Sequence, residues 1–433
     1  MSTPQERHSP ARTAAASSFR LGINYWPART AMGFWRAFDR AEVQADFRRI
    51  AASGLDSVRI FLTWEDFQPT PSRGDSEMLE RLVATMDEAA AAGLAVMPTL
   101  FTGHMSGANF IPPWALGDDA GDDRFVVVSQ GRVTASRLAS WYADATIVQA
   151  QSTLARYVAG ALAGHDALYA WDLGNENSNC TIPPDVAQAR EWLARVSCAI
   201  READPRARVT VGLHMEDLED DRRLGPREAA EVCDFLTMHG YPGYASWADG
   251  PTDERILPFL ARVTGWLGGG ADVLFSEFGV PTSRDAARAP TRPALVGEEV
   301  AAAYVDRALA SLLACGSKGA MLWCYADYAP AIWTQPPLDR AVHERSFGLW
   351  RADGSPKPAV AVVEAFAERR PTQRAAPHLE DSTWIDLDAE AFLRAPEREL
   401  PRLYRRYCEA LEANAAGDVP GDPRDPRRVS APA

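Results

Sequence analysis

Two carboxylates dominate the chemistry this sequence offers. Glu176 follows the apolar run LYAWDLG and Glu277 ends the run DVLFSE. A polar residue at the end of an apolar run leaves a packed interior to meet solvent or substrate. Reading the ends of the other apolar runs adds Arg59, His104, Asn175, His239 with Tyr241, and Trp323. Paired carboxylates facing each other across a cleft are what glycoside hydrolysis needs. One protonates the leaving oxygen, and the other attacks the anomeric carbon or activates water. A pair of unpartnered carboxylates at buried strand ends has no evident structural purpose, because desolvating each charge is costly.

The elements that must hold these side chains repeat eight times. Short apolar runs begin at Leu21 (LGINYW), Ser57 (SVRIFL), Leu94 (LAVMPTLF), Leu168 (LYAWDLG), Arg208 (RVTVGL), Cys233 (CDFLTM), Asp272 (DVLFSE) and Lys318 (KGAMLW). Apolar on both faces, they read as parallel strands covered on both sides. Between them the pattern predicts helices over 39–53, from Ser76 to the stop at Gly93, and over 142–163, 185–203, 226–231, 254–267, 295–314 and 358–368. In the first, Asp39 is the expected N-cap, Glu42 completes a capping box, and Val43, Phe47 and Ile50 share a face. Strand then helix, eight times, predicts an α/β fold: a (β/α)8 TIM barrel over residues 21–370. Two connections are too long to be plain links: 102–140 after the third strand and 324–355 after the eighth. Residues 371–415 form a C-terminal helical extension expected to pack on the barrel. Residues 1–20 and 416–433 are expected to be disordered tails.

On these residues the chain resembles the clan A retaining glycoside hydrolases, and within them glycoside hydrolase family 5, the cellulase and mannanase family. The family's shared set runs along the barrel in a fixed order. It is an Arg after the second strand, a His after the third, Asn-Glu after the fourth, His-x-Tyr after the sixth, a Glu on the seventh and a Trp on the eighth. Here that order reads Arg59, His104, Asn175–Glu176, His239–Gly240–Tyr241, Glu277 and Trp323. The segment SFGLWRADGSPKPA, 346–359, is similar to the lead into the family's last helix. The resemblance implies that Glu176 is the general acid/base, with a raised pKa, and that Glu277 is the nucleophile. It implies that Arg59 keeps Glu277 ionised and Tyr241 hydrogen-bonds it, while Asn175 holds the 2-hydroxyl of the sugar. His104 and His239 would orient hydroxyls and Glu176, and Trp323 would floor the sugar ring. The family needs no cofactor. The opening GINYWP and the GHMSG loop resemble its mannanase and β-mannosidase-like branch.

Trp114 and Trp333, in the two long loops, are the expected sugar platforms, with Trp64 and Trp141 as further candidates. Glu65, Asp66, Glu216 and Asp327 follow strands and are candidates to touch hydroxyls. Composition narrows the alternatives. The 433 residues carry 45 basic and 59 acidic side chains, a net charge of −14, and no basic run, which argues against a nucleic-acid partner. No apolar run approaches membrane-spanning length, and the polar N-terminus lacks a signal-peptide core, so a cytoplasmic location is expected. The six cysteines form no CxxC pair, and there is no phosphate loop, dinucleotide fingerprint or HExxH, so neither a cofactor nor a metal is expected. The function so read is an exo-acting β-mannosidase, or a related β-glycosidase, on short oligosaccharides. The alternatives are an endo-β-1,4-mannanase or cellulase-like enzyme and, in another class, a barrel that binds carbohydrate without cleaving it.

Overall fold

The computed structural model describes residues 19–117, 124–284, 291, 293–370 and 383–417. Eight parallel strands make the core: β1 (Arg20–Asn24), β2 (Ser57–Thr63), β3 (Ala95–Thr102), β4 (Trp171–Asn175), β5 (Val209–Gly212), β6 (Leu236–His239), β7 (Val273–Phe278) and β8 (Gly319–Leu322). They pair in the order β5-β4-β3-β2-β1-β8-β7-β6. The ring closes where His214 bridges His239 and the His239 amide donates to the Leu213 carbonyl at 2.9 Å. The (β/α)8 barrel expected from the eightfold repeat is therefore present. Its strands are buried along nearly their whole length, as double-sided apolar runs require.

The barrel helices are α1 (Arg40–Ala52), α2 (Ser76–Ala91), α3 (Ala145–Ala161), α4 (Val186–Ala203), α5 (Pro226–Ala230), α6 (Ile256–Leu267), α7 (Glu298–Ala314) and α8 (Pro358–Arg369). Asp39 caps α1 by accepting from the Ala41 and Glu42 amides, and Val43, Phe47 and Ile50 are buried. The capping box does not form, because the Glu42 carboxylate turns to Arg29, at 2.8 and 2.9 Å. Gly54 and Gly93 follow α1 and α2 with φ of 80° and 74°, a conformation that favours glycine.

The loop after β3 folds into a small sheet of its own, from strands His104–Met105, Ala108–Phe110, Val126–Ser129 and Arg132–Thr134. The C-terminal extension forms α9 (Ala389–Leu393) and α10 (Pro396–Gly417). It explains why α6 is apolar on two sides. One side of α6 faces the barrel, while on the other Tyr404 packs edge-on and Tyr407 at a tilt against Phe259, at 5.1 and 5.6 Å. The expected tails fall almost wholly outside the described residues. No helix among the described residues is long and apolar enough to cross a membrane, and all six cysteines are unpaired.

Candidate active site

Arg59 is the hub of the C-terminal face. It lies on β2, fully buried, so its charge must be met inside the barrel. Asp172 on β4 accepts from its Nε and Nη2 at 2.9 and 2.7 Å, and Thr99 donates to the same carboxylate oxygen. Asn24 and Asn175 accept at 3.1 and 2.9 Å. The remaining direction of Nη1 goes to Glu277 Oε1. Gly212 on β5 makes room: a β-carbon there would stand 3.0 Å from Arg59 Nη2 and 2.5 Å from the Gly174 carbonyl oxygen.

Glu277, on β7, is held at its other oxygen by the Tyr241 hydroxyl, which donates at 2.7 Å. Glu176 follows β4 in the left-handed region, with φ 48° and ψ 50°, a strained turn for a non-glycine residue. That turn aims its carboxylate over the barrel mouth. There His239 Nδ1 meets Oε1 at 2.9 Å and Asn179 Nδ2 donates to Oε2 at 3.0 Å. His104 Nε2 is 3.8 Å from Oε2, its Nδ1 fixed on Asn109 at 2.8 Å. One oxygen of Glu176 and one of Glu277 lie within 4.8 Å of each other. Inverting pairs stand about 6.5–9.5 Å apart to admit a water, whereas direct attack needs about 5–5.5 Å. The close pairing suits direct attack.

His104, Asn175, Glu176, Asn179, His239, Tyr241 and Glu277 line a pocket of about 280 Å3 with Trp323 as one wall, and Arg59 reaches it through Glu277. The structure thus brings together Arg59, His104, Asn175, Glu176, His239, Tyr241, Glu277 and Trp323. It does not bring in the expected platforms. Trp114 donates its indole N–H to the Gln68 carbonyl at 2.9 Å and packs edge-on against Trp64. Trp333 donates to the Tyr328 carbonyl at 2.8 Å, and Arg345 covers its ring. Local carbonyls satisfy both indoles and neighbouring side chains cover both rings, so neither lines the pocket. Trp64 and Trp141 belong to a buried aromatic cluster. Glu65 and Asp66 pair with Arg36, and Asp327 pairs with Lys357 at 2.6 Å. Of the four loop acids only Glu216 reaches the pocket.

Sequence reasoning missed several pocket residues. His214 stands just beyond β5, a strand end of the same kind as those that were read. Its Nε2 meets Ser178 Oγ at 2.8 Å, and Ser178 donates to Asp217 at 2.6 Å. Tyr244, His343 and Glu344 come from loops that give no periodic signal.

The proton distribution differs from the expected one. Burial raises Glu176, but His214, His239 and His104 outweigh it and hold its carboxyl well below the usual range. Burial pushes Glu277 up, against the pull of His239, Arg59 and Tyr241. Burial lowers His104, whereas Asp217, Glu176 and Glu216 lift His214 despite burial. The two carboxyls, sharing His239, titrate as one system. Glu176, His239 and Glu277 are also close enough to hold a cation, but the Arg59 guanidinium on Glu277 opposes one.

No family model matches the chain. It is 26% identical over 324 residues to a putative mannan endo-1,4-beta-mannosidase 5 of Oryza sativa subsp. japonica, covering 66% of this chain and 62% of the rice protein. An exo-beta-1,4-mannosidase from Opitutaceae bacterium strain TAV5 superposes with a TM-score of 0.67 and 30% identity, over 82% of this chain and 60% of that one. A GH5_18 from Streptomyces cattleya, solved in complex with GlcNAc, superposes with a TM-score of 0.76 and 24% identity, over 93% and 92%. The chain thus spans about three-fifths of the length of the first two. Fold and relatives agree with the motif order: the chain is similar to mannan endo-1,4-beta-mannosidases and to an exo-beta-1,4-mannosidase, on the barrel fold that it shares with the GH5_18 structure.

Proposed function

We propose that this chain is a retaining exo-β-mannosidase that releases single mannose residues from the ends of short β-linked oligosaccharides. One observation carries the exo reading. Ser106, in the loop after β3, donates to Glu344, in the loop after β8, at 2.9 Å. The two longest loops therefore meet at the pocket, a contact that supports reading one end of the cleft as closed. A pocket this small suits one or two sugar rings and not a polymer groove. The mannose reading rests on the names of the rice and Opitutaceae relatives. Arg59 and Tyr241, both trained on Glu277, favour an enzyme over a binding barrel, since binding alone needs no activated carboxylate.

In the first step Glu277 attacks the anomeric carbon while Glu176 protonates the departing oxygen. In the second, Glu176 takes a proton from water, which hydrolyses the glycosyl-enzyme. The pair must hold its proton on Glu176. The Arg59 charge on Glu277 is permanent, whereas burial lowers His104 and Asp217 stands 3.5 Å from His214. The Glu176 side chain is also the more exposed of the two, 15% against 5%. A bound sugar therefore desolvates Glu176 more and raises it. In the free enzyme the two limbs of the kcat/KM profile belong to the carboxyl pair and not to either residue alone. Tyr241 donates to the ionised form of Glu277, so Tyr241→Phe removes a stabiliser of the charge and moves the pair's titration to higher pH. A profile that stays put in Tyr241→Phe would detach Tyr241 from the titrating pair.

The experiment is product analysis on mannohexaose. Mannose released from the first minutes is the expected result. The alternative reading, an endo-mannanase like that named for the rice relative, yields early dimers and trimers without mannose.

A further inference from the structure

Glu344 is buried, yet its only ion-pair partner among the described residues is His343, at 3.4 Å. The next residue, Arg345, turns away and donates to the Leu338 carbonyl. The Glu344 carboxylate accepts from Ser106 Oγ at 2.9 Å and from the Tyr244 hydroxyl at 3.3 Å. A carboxylate has about four acceptor positions, and leaving some unfilled away from water is costly. A neutral amide could tie the two loops together equally well. A desolvated carboxylate on the pocket wall instead calls for further donors, and sugar hydroxyls are such donors.

We propose that Glu344 recognises the free 4-hydroxyl of the terminal sugar and so selects the chain end. The proposal rests on the exo reading above. Glu344 lines the same pocket as Asn175 and Glu277. With C1 over Glu277 and the 2-hydroxyl toward Asn175, the proposed pose sets the opposite edge of the ring, with its 4-hydroxyl, against Glu344. In a β-1,4-linked chain the 4-oxygen is where the next sugar would be attached. An internal sugar has no hydrogen to donate there and carries a ring that the Ser106–Glu344 contact excludes. A chain end offers an O–H to a waiting charge. Because the recognition group is an anion, a substrate lacking that hydroxyl leaves it unpaired, which discriminates more sharply than lost apolar contact.

The test compares an aryl β-mannoside with its 4-deoxy and 6-deoxy analogues on wild type, Glu344→Gln and Ser106→Ala. Should the wild type cleave another aryl β-glycoside better, the deoxy analogues of that sugar are used. A hydrogen bond to a charged group corresponds to about 10- to 150-fold in kcat/KM. Wild type is expected to lose that factor on removing the 4-hydroxyl, and Glu344→Gln on the parent glycoside. On the 4-deoxy analogue Glu344→Gln is expected to cost little, because the interaction is already gone. Ser106→Ala removes the loop partner but keeps the charge, so its preference for the 4-hydroxyl is expected to survive. Equal losses by Glu344→Gln on all three substrates would overturn the proposal and leave Glu344 a loop clamp, as would loss of the preference in Ser106→Ala. Wild type that releases dimers and trimers but no monosaccharide from mannohexaose would instead overturn the exo reading.

Discussion

Glu277→Gln is expected to lower turnover by at least about 10⁴-fold, on aryl glycosides and oligosaccharides alike. The amide is isosteric but cannot form the glycosyl ester, and nothing else stands beneath the anomeric carbon to replace it. Of the other carboxylates nearby, Asp172 is committed to Arg59 and Thr99, and Glu176 is on the leaving-group side. The fold should hold. Arg59 keeps its paired hydrogen bonds to Asp172, so its buried charge stays balanced. Kinetics alongside a thermal melt checks this: a folded Glu277→Gln enzyme with near-normal kcat would remove Glu277 from the nucleophile role.

Glu176→Ala should separate substrates by their leaving groups. On an oligosaccharide the leaving oxygen needs a proton, and the loss should be about 10²–10⁴-fold. A dinitrophenyl glycoside departs without one, so its first step survives and the glycosyl-enzyme accumulates, short of a base to activate water. Azide needs no deprotonation. It should restore turnover on the activated substrate and yield the β-glycosyl azide. If Glu176→Ala loses equally on both substrates and azide has no effect, Glu176 only binds substrate.

The barrel was legible because each of its strands is buried on both faces and so spells a continuous apolar run. Asp39, Asp144 and Asp185 mark helix starts by capping them. The fourth strand begins later than its apolar run, at Trp171, with Leu168 making only an isolated bridge to Val96. The small sheet after β3 escaped notice because its strands are two to four residues long, too short for periodicity. Site residues at strand ends were readable, since the fold dictates where those ends point. Glu344 and Tyr244 were not, because loop side chains acquire a direction only when the loops dock. Trp114 and Trp333 show the converse: an aromatic ring in a catalytic-face loop can be consumed by packing. The lowered carboxyl of Glu176 in the unliganded site is not legible in the sequence, because His214, the largest influence opposing its burial, reaches it only through the fold.

The central claim, double displacement through Glu277, is tested most directly by trapping the intermediate. A 2-deoxy-2-fluoro-β-mannosyl fluoride slows both steps by destabilising the oxocarbenium-like transition state, while its good leaving group keeps the first step accessible. Intact-protein mass spectrometry should show one added fluoroglycosyl group, and peptide mapping should place it on Glu277. A label on Glu176 or any other residue would contradict the account. So would an active enzyme that never labels and whose first-formed sugar is the α-anomer.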